Sequence, residues 1–596
     1  MIKMAFDGIT TKAIATELTN LCGARIDKVF QPDKNTIVIG MYANGQNFAL
    51  TACIDAQNYR VHLTTHPKPN PQVAPNFCML LRKNIIGLRL KNVITFDLER
   101  IIILELEGLD DIDDIISKKL VIELMGKHSN IMLVDEQNII QDSMRHIKET
   151  DEQFRDILPH TKYSLPSCDK KNFLEVSSFE EFASDIINET ENSTNSLPSI
   201  LSDIYNGFSK NSIAKYVESL NLDFSHPINS CTDEIKNLYN LLQDIFSAIY
   251  NNNVEFKLFE IGEKKKKDYF FTLRTGDTNN SPFSLNFFLD DFYYEKETRE
   301  TFKNYRNTVL RLILDTLKKY QKRLYNMNEK LKECENMDTY RLYGELITTN
   351  LYQIPNKNLS EVEVQNYYEN YKIIKIPLDK KYLPSVNAKR YFKKYSKLKN
   401  ALEVVTKQKE ETLQELDYLE SIVYELESCS TLQEVSDIFE EISENVIFKE
   451  KTNAMSLGTK GKKSSKIKKS NLTKNKTVSF NPIKYKIDGY TVLVGRNNKE
   501  NDYLTLKYAS KNDLWFHTKD IHGSHVILRL AENADKSTPS EELLLKVASI
   551  AALHSKAKNS SNVPVDMCEV RFVKKPSGAK PGMVIYKNQQ TVYVNP

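Results

Sequence analysis

Two long stretches of this chain carry apolar residues at steps of three and four, and no other feature narrows the fold as far. The first runs Leu310, Ile313, Leu317, Tyr320, Leu324, Met327, Leu331, Cys334, inside a segment, 277–343, that has no glycine and, beyond Pro282, no proline. The spacing predicts one long helix. The second runs Leu398, Leu402, Val405, Lys409, Thr412, Leu416, Leu419, Val423, Leu426, polar only at its middle, and no proline occurs between Pro384 and Pro482. Two such helices bury their stripes by pairing antiparallel within the chain. A homodimeric coiled coil is the competing arrangement, because a seam alone does not set strand number. At roughly 1.5 Å per residue, about 35 paired residues make an arm of roughly 50 Å. The intervening residues 338–390 then form a small globular tip.

Composition bounds the rest. With 596 residues, several domains are required. Lys+Arg number 82 against 79 Asp+Glu, a net charge of +3, and 40% of residues are apolar, enough to build cores. No stretch approaches the ~18 uncharged apolar residues of a membrane span. The start, MIKMAFDGITTKAIATELTN, lacks a long apolar core and a small-residue cleavage site, so a cytoplasmic protein with no membrane partner is expected. The eight cysteines are scattered without a C-x-x-C pair, which fits free thiols rather than disulfides or a zinc ribbon.

Ahead of the arm, residues 1–171 alternate β-rich runs (TIVIGMYA, FALTACI, RVHLTT, LKNVITF, RIIILEL, KLVIELM, NIMLVDE) with turns, predicting a mostly antiparallel sheet. Its helices would be TTKAIATELTNLCG, capped by Thr10 or Thr11 and closed by Gly23, and NFCMLLRKNIIG, closed by Gly87. Residues 172–255 turn helical, and LPSILSDIYNGFSKNSIAKYVESL pairs two short helices across Gly207-Phe208-Ser209. Such a turn is either a phosphate site built from helix N-termini or an ordinary αα corner. The arm takes 256–445. After it, 446–482 is a basic linker; residues 451–487 hold eleven Lys and no acid, a solvated tether that also attracts phosphates. Residues 483–596 form a separate α/β domain in which strands dominate, with one amphipathic helix, EELLLKVASIAALHSKA.

Three constellations could carry chemistry. In DLWFHTKDIHGSH, read as a loop, Trp515, Phe516, His517, Lys519 and His525 with nearby Arg496 suit base stacking and phosphate pairing. The alternatives are a metal site, for which no Cys or Glu stands at ligand spacing, and aromatic core. In FVKKPSGAKPG, Lys574, Lys575 and Lys580 between prolines and glycines suit a backbone-reading RNA surface, or an exposed hairpin without a ligand. In the N-terminal domain, Asp7, Asp97, Glu99, Arg100 and the loop Glu123, Met125, Lys127, His128 bring carboxylates, an arginine and a glycine turn that could share one cleft.

Taken with their order, the strings FDGITT, FCMLLRK, ELMGKHSNI, RLYGELITTNLY, LPSVNAKRYFKKYSKLKNA, DLWFHTKDIHGSHVIL and KKPSGAKPGMV resemble the RqcH/NEMF family, also called NFACT or FbpA-like, across essentially the whole chain. The resemblance implies an α+β multidomain fold: NFACT-N, helix-hairpin-helix, antiparallel coiled-coil arm with a tip, and an NFACT-R RNA-binding domain. It further implies a ribosome quality control factor of bacterial RqcH type, cytoplasmic and ribosome-associated. Such a factor binds large ribosomal subunits and their ribosomal RNA, holds the obstructing peptidyl-tRNA, and recruits alanyl-tRNA to add C-terminal alanine tails, beside a small RNA-binding ribosome-recycling partner. Tailing in the family needs an Asp-Arg pair. Here the matching positions read Glu99-Arg100, with Asp97 two residues earlier. No cofactor, metal or catalytic residue is implied: transfer draws on the aminoacyl ester and the ribosome's RNA centre, and no G-x-x-x-x-G-K-[ST] loop occurs.

Two rivals remain. A fibronectin-binding surface adhesin follows from the FbpA-like name. A base-excision glycosylase follows from a related N-terminal fold, but those enzymes carry a nucleophilic proline after Met, where this chain has Ile2 and Lys3.

Overall fold

A computed structural model describes residues 6–109, 114–148, 155–166, 169–190, 196–220, 232–251, 253–261, 266–273, 284–444, 480–530 and 539–596. The expectations for 277–283 and for nearly all of the basic linker, 445–479, lie outside the described residues. The chain forms two compact units, 1–298 and 299–596.

The first unit is built on an antiparallel sheet of nine strands among the described residues. They are β1 (Arg25–Asp33), β2 (Thr36–Ala43), β3 (Gln46–Cys53), β4 (Arg60–Leu63), β5 (Arg89–Ile94), β6 (Ile101–Leu109), β7 (Ile115–Glu123), β8 (Asn130–Val134) and β9 (Ile140–Ser143), in the order β4-β3-β2-β1-β5-β6-β7-β8-β9. All seven expected strands are present. β1 and β9 escaped sequence reading, because RIDKVFQPD alternates charge with apolar residues around a proline and IQDS is short and polar.

Helix α1 (Gly8–Leu18) starts earlier than expected: its cap is Asp7, not Thr10 or Thr11, and the Asp7 carboxylate accepts from Thr10 N at 3.0 Å. α2 (Asn76–Ile85) stops before Gly87, whose φ of +95° suits glycine alone. Helices α3 (Phe179–Thr190), α4 (Leu197–Ile204), α5 (Lys210–Ser219) and α6 (Thr232–Tyr250) follow, then a hairpin of β10 (Val254–Ile261) and β11 (Lys266–Leu273). The root of the arm helix α7 (Ser284–Glu335) closes the unit. The buried Glu17 carboxylate caps that root, accepting from Leu285 N at 2.9 Å and Asn286 N at 3.0 Å, and satisfies N–H groups that a helix start leaves unpaired. Asn286 and Asp290 in turn take up Leu63 N and Thr65 N, so the β4 edge is not left open.

In the second unit α7 ends at Glu335, and a break at Asn336 starts α8 (Met337–Thr349), where one continuous helix was expected. α9 (Pro384–Ser428) returns antiparallel to both within the chain: Val309 and Ile313 pack with Ile422 and Leu426, Met327 meets Thr412, and Gly344 lies against the Phe392 ring. Every residue of the two expected seams is buried or half-buried. Each seam is thus the other's partner, as intrachain pairing requires. A hairpin of β12 (Glu361–Asn366) and β13 (Lys372–Pro377) packs Val362, Val364 and Ile376 on Leu346 and Ile347 at the far end. α10 (Leu432–Glu444) folds back on the arm base through Val435, Ile438 and Ile442.

The C-terminal sheet holds β14 (Ile483–Ile487), β15 (Tyr490–Val494), β16 (Leu514–Thr518), β17 (Val526–Arg529), β18 (Val563–Glu569) and, after the small ladder of β19 (Val573–Lys574) with β20 (Ile585–Tyr586), β21 (Gln590–Val594). The order is β14-β15-β17-β16-β18-β21. The expected helix is present as Glu541–Leu553, capped by Ser540, and covers one face. NDYLTLKYA corrects the reading of a single helix: Asn498–Tyr503 is helical and runs into a wide turn, Leu504–Tyr508. The Asn497 side chain accepts from Glu500 N and so nucleates it.

Candidate nucleic-acid interface

The N-terminal cluster forms where the β5–β6 loop meets the turn between α4 and α5. Asp97, at φ +45°, bends the loop so that Leu98 is fully buried. Leu98 lies against two glycines: a Cβ on Gly8 would meet Leu98 O at 2.0 Å, and one on Gly207 would meet Leu98 Cβ at 2.4 Å. Gly8 N donates to Gly207 O at 2.9 Å. The helix-hairpin-helix turn is therefore packed inward as an αα corner, and its glycine serves close approach rather than phosphate binding.

Around this contact the expected residues separate by role. Asp7 is buried and fully engaged, accepting from Thr10 N, Thr10 Oγ1 and Ser212 Oγ; burial holds its carboxyl above the usual range. Glu123 is buried between Arg155, at 2.5 Å, and Tyr163 OH, at 2.9 Å. Both are thus turned into the unit, so neither opens onto a shared surface cleft. Glu99 Oε1 accepts from Asn206 Nδ2 at 2.5 Å, so the longer acid reaches across to the α4–α5 turn. Arg100 is half-buried; its carbonyl accepts Leu124 N at 2.8 Å and its guanidinium reaches Tyr59 OH at 3.5 Å. Tyr59 in turn borders Gly126, 3.9 Å from where a Cβ would stand. Arg100 and the Met125, Lys127, His128 turn thus share one end of the sheet, with Asp97 and Lys127 exposed.

At the other end of the chain, DLWFHTKDIHGSH is not a loop but β16, a turn and β17. Trp515 and Phe516 point to opposite faces of a central strand and are fully buried, so neither stacks on a base; they are core. His517 stacks on Trp515 and faces His525, whose ring pairs with Thr505 Oγ1 at 2.8 Å. Burial pushes His517 down to about 4 and His525 down to about 3, so both are neutral at pH 7 and neither pairs with a phosphate as a cation. No group of His, Cys, Asp or Glu among the described residues has a metal-binding arrangement. Of the expected cations, Lys519 and Lys574 are exposed, Arg496 reaches Glu434 of α10 at 3.4 Å, Lys575 pairs with Asp502, and Lys580 pairs with Glu415 of α9 at 2.9 Å. The KKPSGAKPG loop is thus packed on the arm base, with Met583 against its apolar cluster, rather than standing free.

The family model described as NFACT N-terminal and middle domains matches residues 7–461, and that described as NFACT protein RNA binding domain matches 476–588. The chain belongs to the NFACT family. Two similar relatives are Rqc2 homolog RqcH of Bacillus subtilis (strain 168), 34% identical over 604 residues, and Rqc2 homolog RqcH of Streptococcus suis (strain 05ZYH33), 34% identical over 599; each alignment covers 100% of this chain and 98% of the relative. Among solved structures, the N-terminal part of the fibronectin/fibrinogen-binding protein from Streptococcus suis is 26% identical and covers 49% of this chain and 100% of its own, with a TM-score of 0.38. No helix among the described residues is long and apolar enough to cross a membrane.

Sequence reasoning missed Asn206 and Tyr59 in this NFACT chain, although Asn206 stands in the Y-N-G-F turn already singled out. It also missed a buried acid pair at the arm base. Glu441 accepts from Tyr418 OH at 2.8 Å, and burial pushes its carboxyl up to about 7. Glu425, buried and then further raised by Glu441, has one oxygen without a partner. An acid raised from 4.5 stabilises the fold fully below that value and loses the contribution as pH climbs through about 7. Glu441→Gln is therefore expected to raise the melting temperature at pH 8, with an upper bound on the order of 3 kcal/mol, and to change little near pH 5. Calorimetric melts at both pH values check this; an equal gain at both would show that charge is not the cause.

Proposed function

We propose that this protein acts in ribosome-associated quality control: it binds large ribosomal subunits obstructed by peptidyl-tRNA and recruits alanyl-tRNA, so that C-terminal alanine tails mark the nascent chain for degradation. The observation that carries the reading is 34% identity along the full chain to Rqc2 homolog RqcH proteins, with both NFACT domain models in register. The end of the N-terminal sheet that holds Arg100, Tyr59 and the Met125 to His128 turn is the proposed tRNA contact. By segment, 1–171 holds tRNA, 172–255 buttresses it, 256–445 with its tip at 338–390 reaches along the subunit, 446–482 tethers, and 483–596 binds ribosomal RNA. A small RNA-binding recycling partner completes the assembly. The protein supplies position and effective concentration, needs no active site of its own, and works in the cytoplasm on the ribosome. The adhesin reading is the alternative, and cell fractionation that finds most of the protein outside the cell would favour it.

Affinity capture of the tagged protein from its own cells, with gradient sedimentation and sequencing of bound RNA, tests this. Free large subunits with one enriched tRNA family are expected, and that family names the amino acid added. Protein confined to the light fractions without tRNA would overturn the reading.

A further inference from the structure

Three cations of the C-terminal domain that face the arm base are each held by an arm carboxylate. Lys580 Nζ lies 2.9 Å from Glu415 Oε1 and 5.4 Å from the centre of the Tyr418 ring. Lys499 Nζ lies 2.7 Å from Glu444 Oε2, and Arg496 Nη1 lies 3.4 Å from Glu434 Oε1. The cations come from the KKPSGAKPG loop and from the start of the Asn498–Tyr503 helix; the acids come from α9 and α10. A cleft of about 1410 Å³ is lined by Glu415, Glu434, Arg496 and Lys580. A row of acids laid along a row of cations has the charge pattern of a phosphate backbone.

The cations keep about a third of their side-chain surface in solvent, 29% for Lys580, 31% for Lys499 and 32% for Arg496. Pairs this exposed are individually weak and exchange readily with other anions. We propose that the face formed by Arg496, Lys499 and Lys580 is the surface of the C-terminal domain that contacts an RNA backbone, and that Glu415, Glu434 and Glu444 occupy it as an internal competitor until RNA displaces them. This rests on the RNA-binding reading of that domain. The consequence is a muted salt response. RNA releases its counterions on binding, but the three displaced carboxylates recruit cations of their own, and the two effects offset each other.

The test uses the full chain and a fluorescein-labelled oligouridylate, with anisotropy read across a potassium chloride titration. The acid-neutralised chain (Glu415→Gln, Glu434→Gln, Glu444→Gln) is expected to bind about ten-fold tighter at low salt, with a slope of log affinity against log salt steeper by up to about 0.7 per acid removed. The cation-neutralised chain (Arg496→Gln, Lys499→Gln, Lys580→Gln) is expected to bind about ten-fold weaker with a shallower slope. Both leave the lysine-rich linker intact, so its binding is common to all the proteins compared. Glu444→Gln alone, with 64% of its side-chain surface in solvent, gives the same direction with smaller size and carries the test if the triple change lowers the melting temperature. A parent that binds the probe, together with an acid-neutralised chain that binds no tighter and no more salt-sensitively, overturns the masking and leaves RNA binding standing. A parent that fails to bind at the lowest salt overturns the RNA-binding reading and this inference with it.

Discussion

Gly8→Ala is expected to cost the N-terminal unit markedly more stability than Gly45→Ala, a methyl group added where there is open space. The new Cβ would sit 2.0 Å from Leu98 O, 2.5 Å from Gly207 Cα and 2.9 Å from Leu98 C. All three are backbone atoms, so no rotamer change relieves the clash, and the β5–β6 loop must move away from the α4–α5 turn. That movement breaks the bond from Gly8 N to Gly207 O and draws Glu99 away from Asn206. Overpacking ordinarily costs about 1–3 kcal/mol, and a clash against backbone on two sides belongs at or above the top of that range. Gly45→Ala is the comparison: its φ is +77° and nothing lies within 4 Å, so it carries only the left-handed strain of about 1–2 kcal/mol. Urea unfolding of both variants gives the answer. If Gly8→Ala costs no more than Gly45→Ala, the glycine contact does not hold the hairpin turn in place.

The second large effect is on activity and not on stability. On the proposed function, Arg100→Ala is expected to abolish alanine tailing while leaving most large-subunit binding and the melting temperature unchanged. The side chain is half-buried and reaches Tyr59 OH only at 3.5 Å, whereas the structural work at this position is done by the main-chain carbonyl that accepts Leu124 N. A guanidinium held so lightly is available to a phosphate, and losing one charge-assisted hydrogen bond costs about 1.5–3 kcal/mol, roughly ten- to a hundred-fold in tRNA affinity. Tailing assays on isolated obstructed subunits, with co-sedimentation alongside, separate the two activities. Equal loss of both would assign Arg100 to docking or folding.

The Glu99 carboxylate, next to Arg100, reaches Asn206 of the α4–α5 turn. The acid therefore ties the loop to the α4–α5 turn, which leaves the exposed Asp97 as the free-facing carboxylate of the loop.

Periodicity carried most of the architecture, because a helix seam or a strand alternation is a local pattern that must be buried somewhere. Both arm seams and seven of the nine sheet strands were legible for that reason. The break at Asn336 was not, since no glycine or proline marks it in the stretch up to 343. Site residues fared differently. Residue type predicted a charged or aromatic role for Asp7, Glu123, Trp515 and His525, yet all four are buried with internal neighbours. A sequence shows which groups can ionise or stack, but burial decides whether they do so at a surface, and burial depends on partners such as Ser212, Arg155, Tyr163 and Thr505 that lie on other elements. The same holds for Arg496, Lys499 and Lys580: their charge is written in the chain, while the carboxylates that hold them were assigned only when α9 and α10 packed beside the C-terminal sheet. Electrostatic partners are chosen at short range, and distance along the chain does not report distance in space.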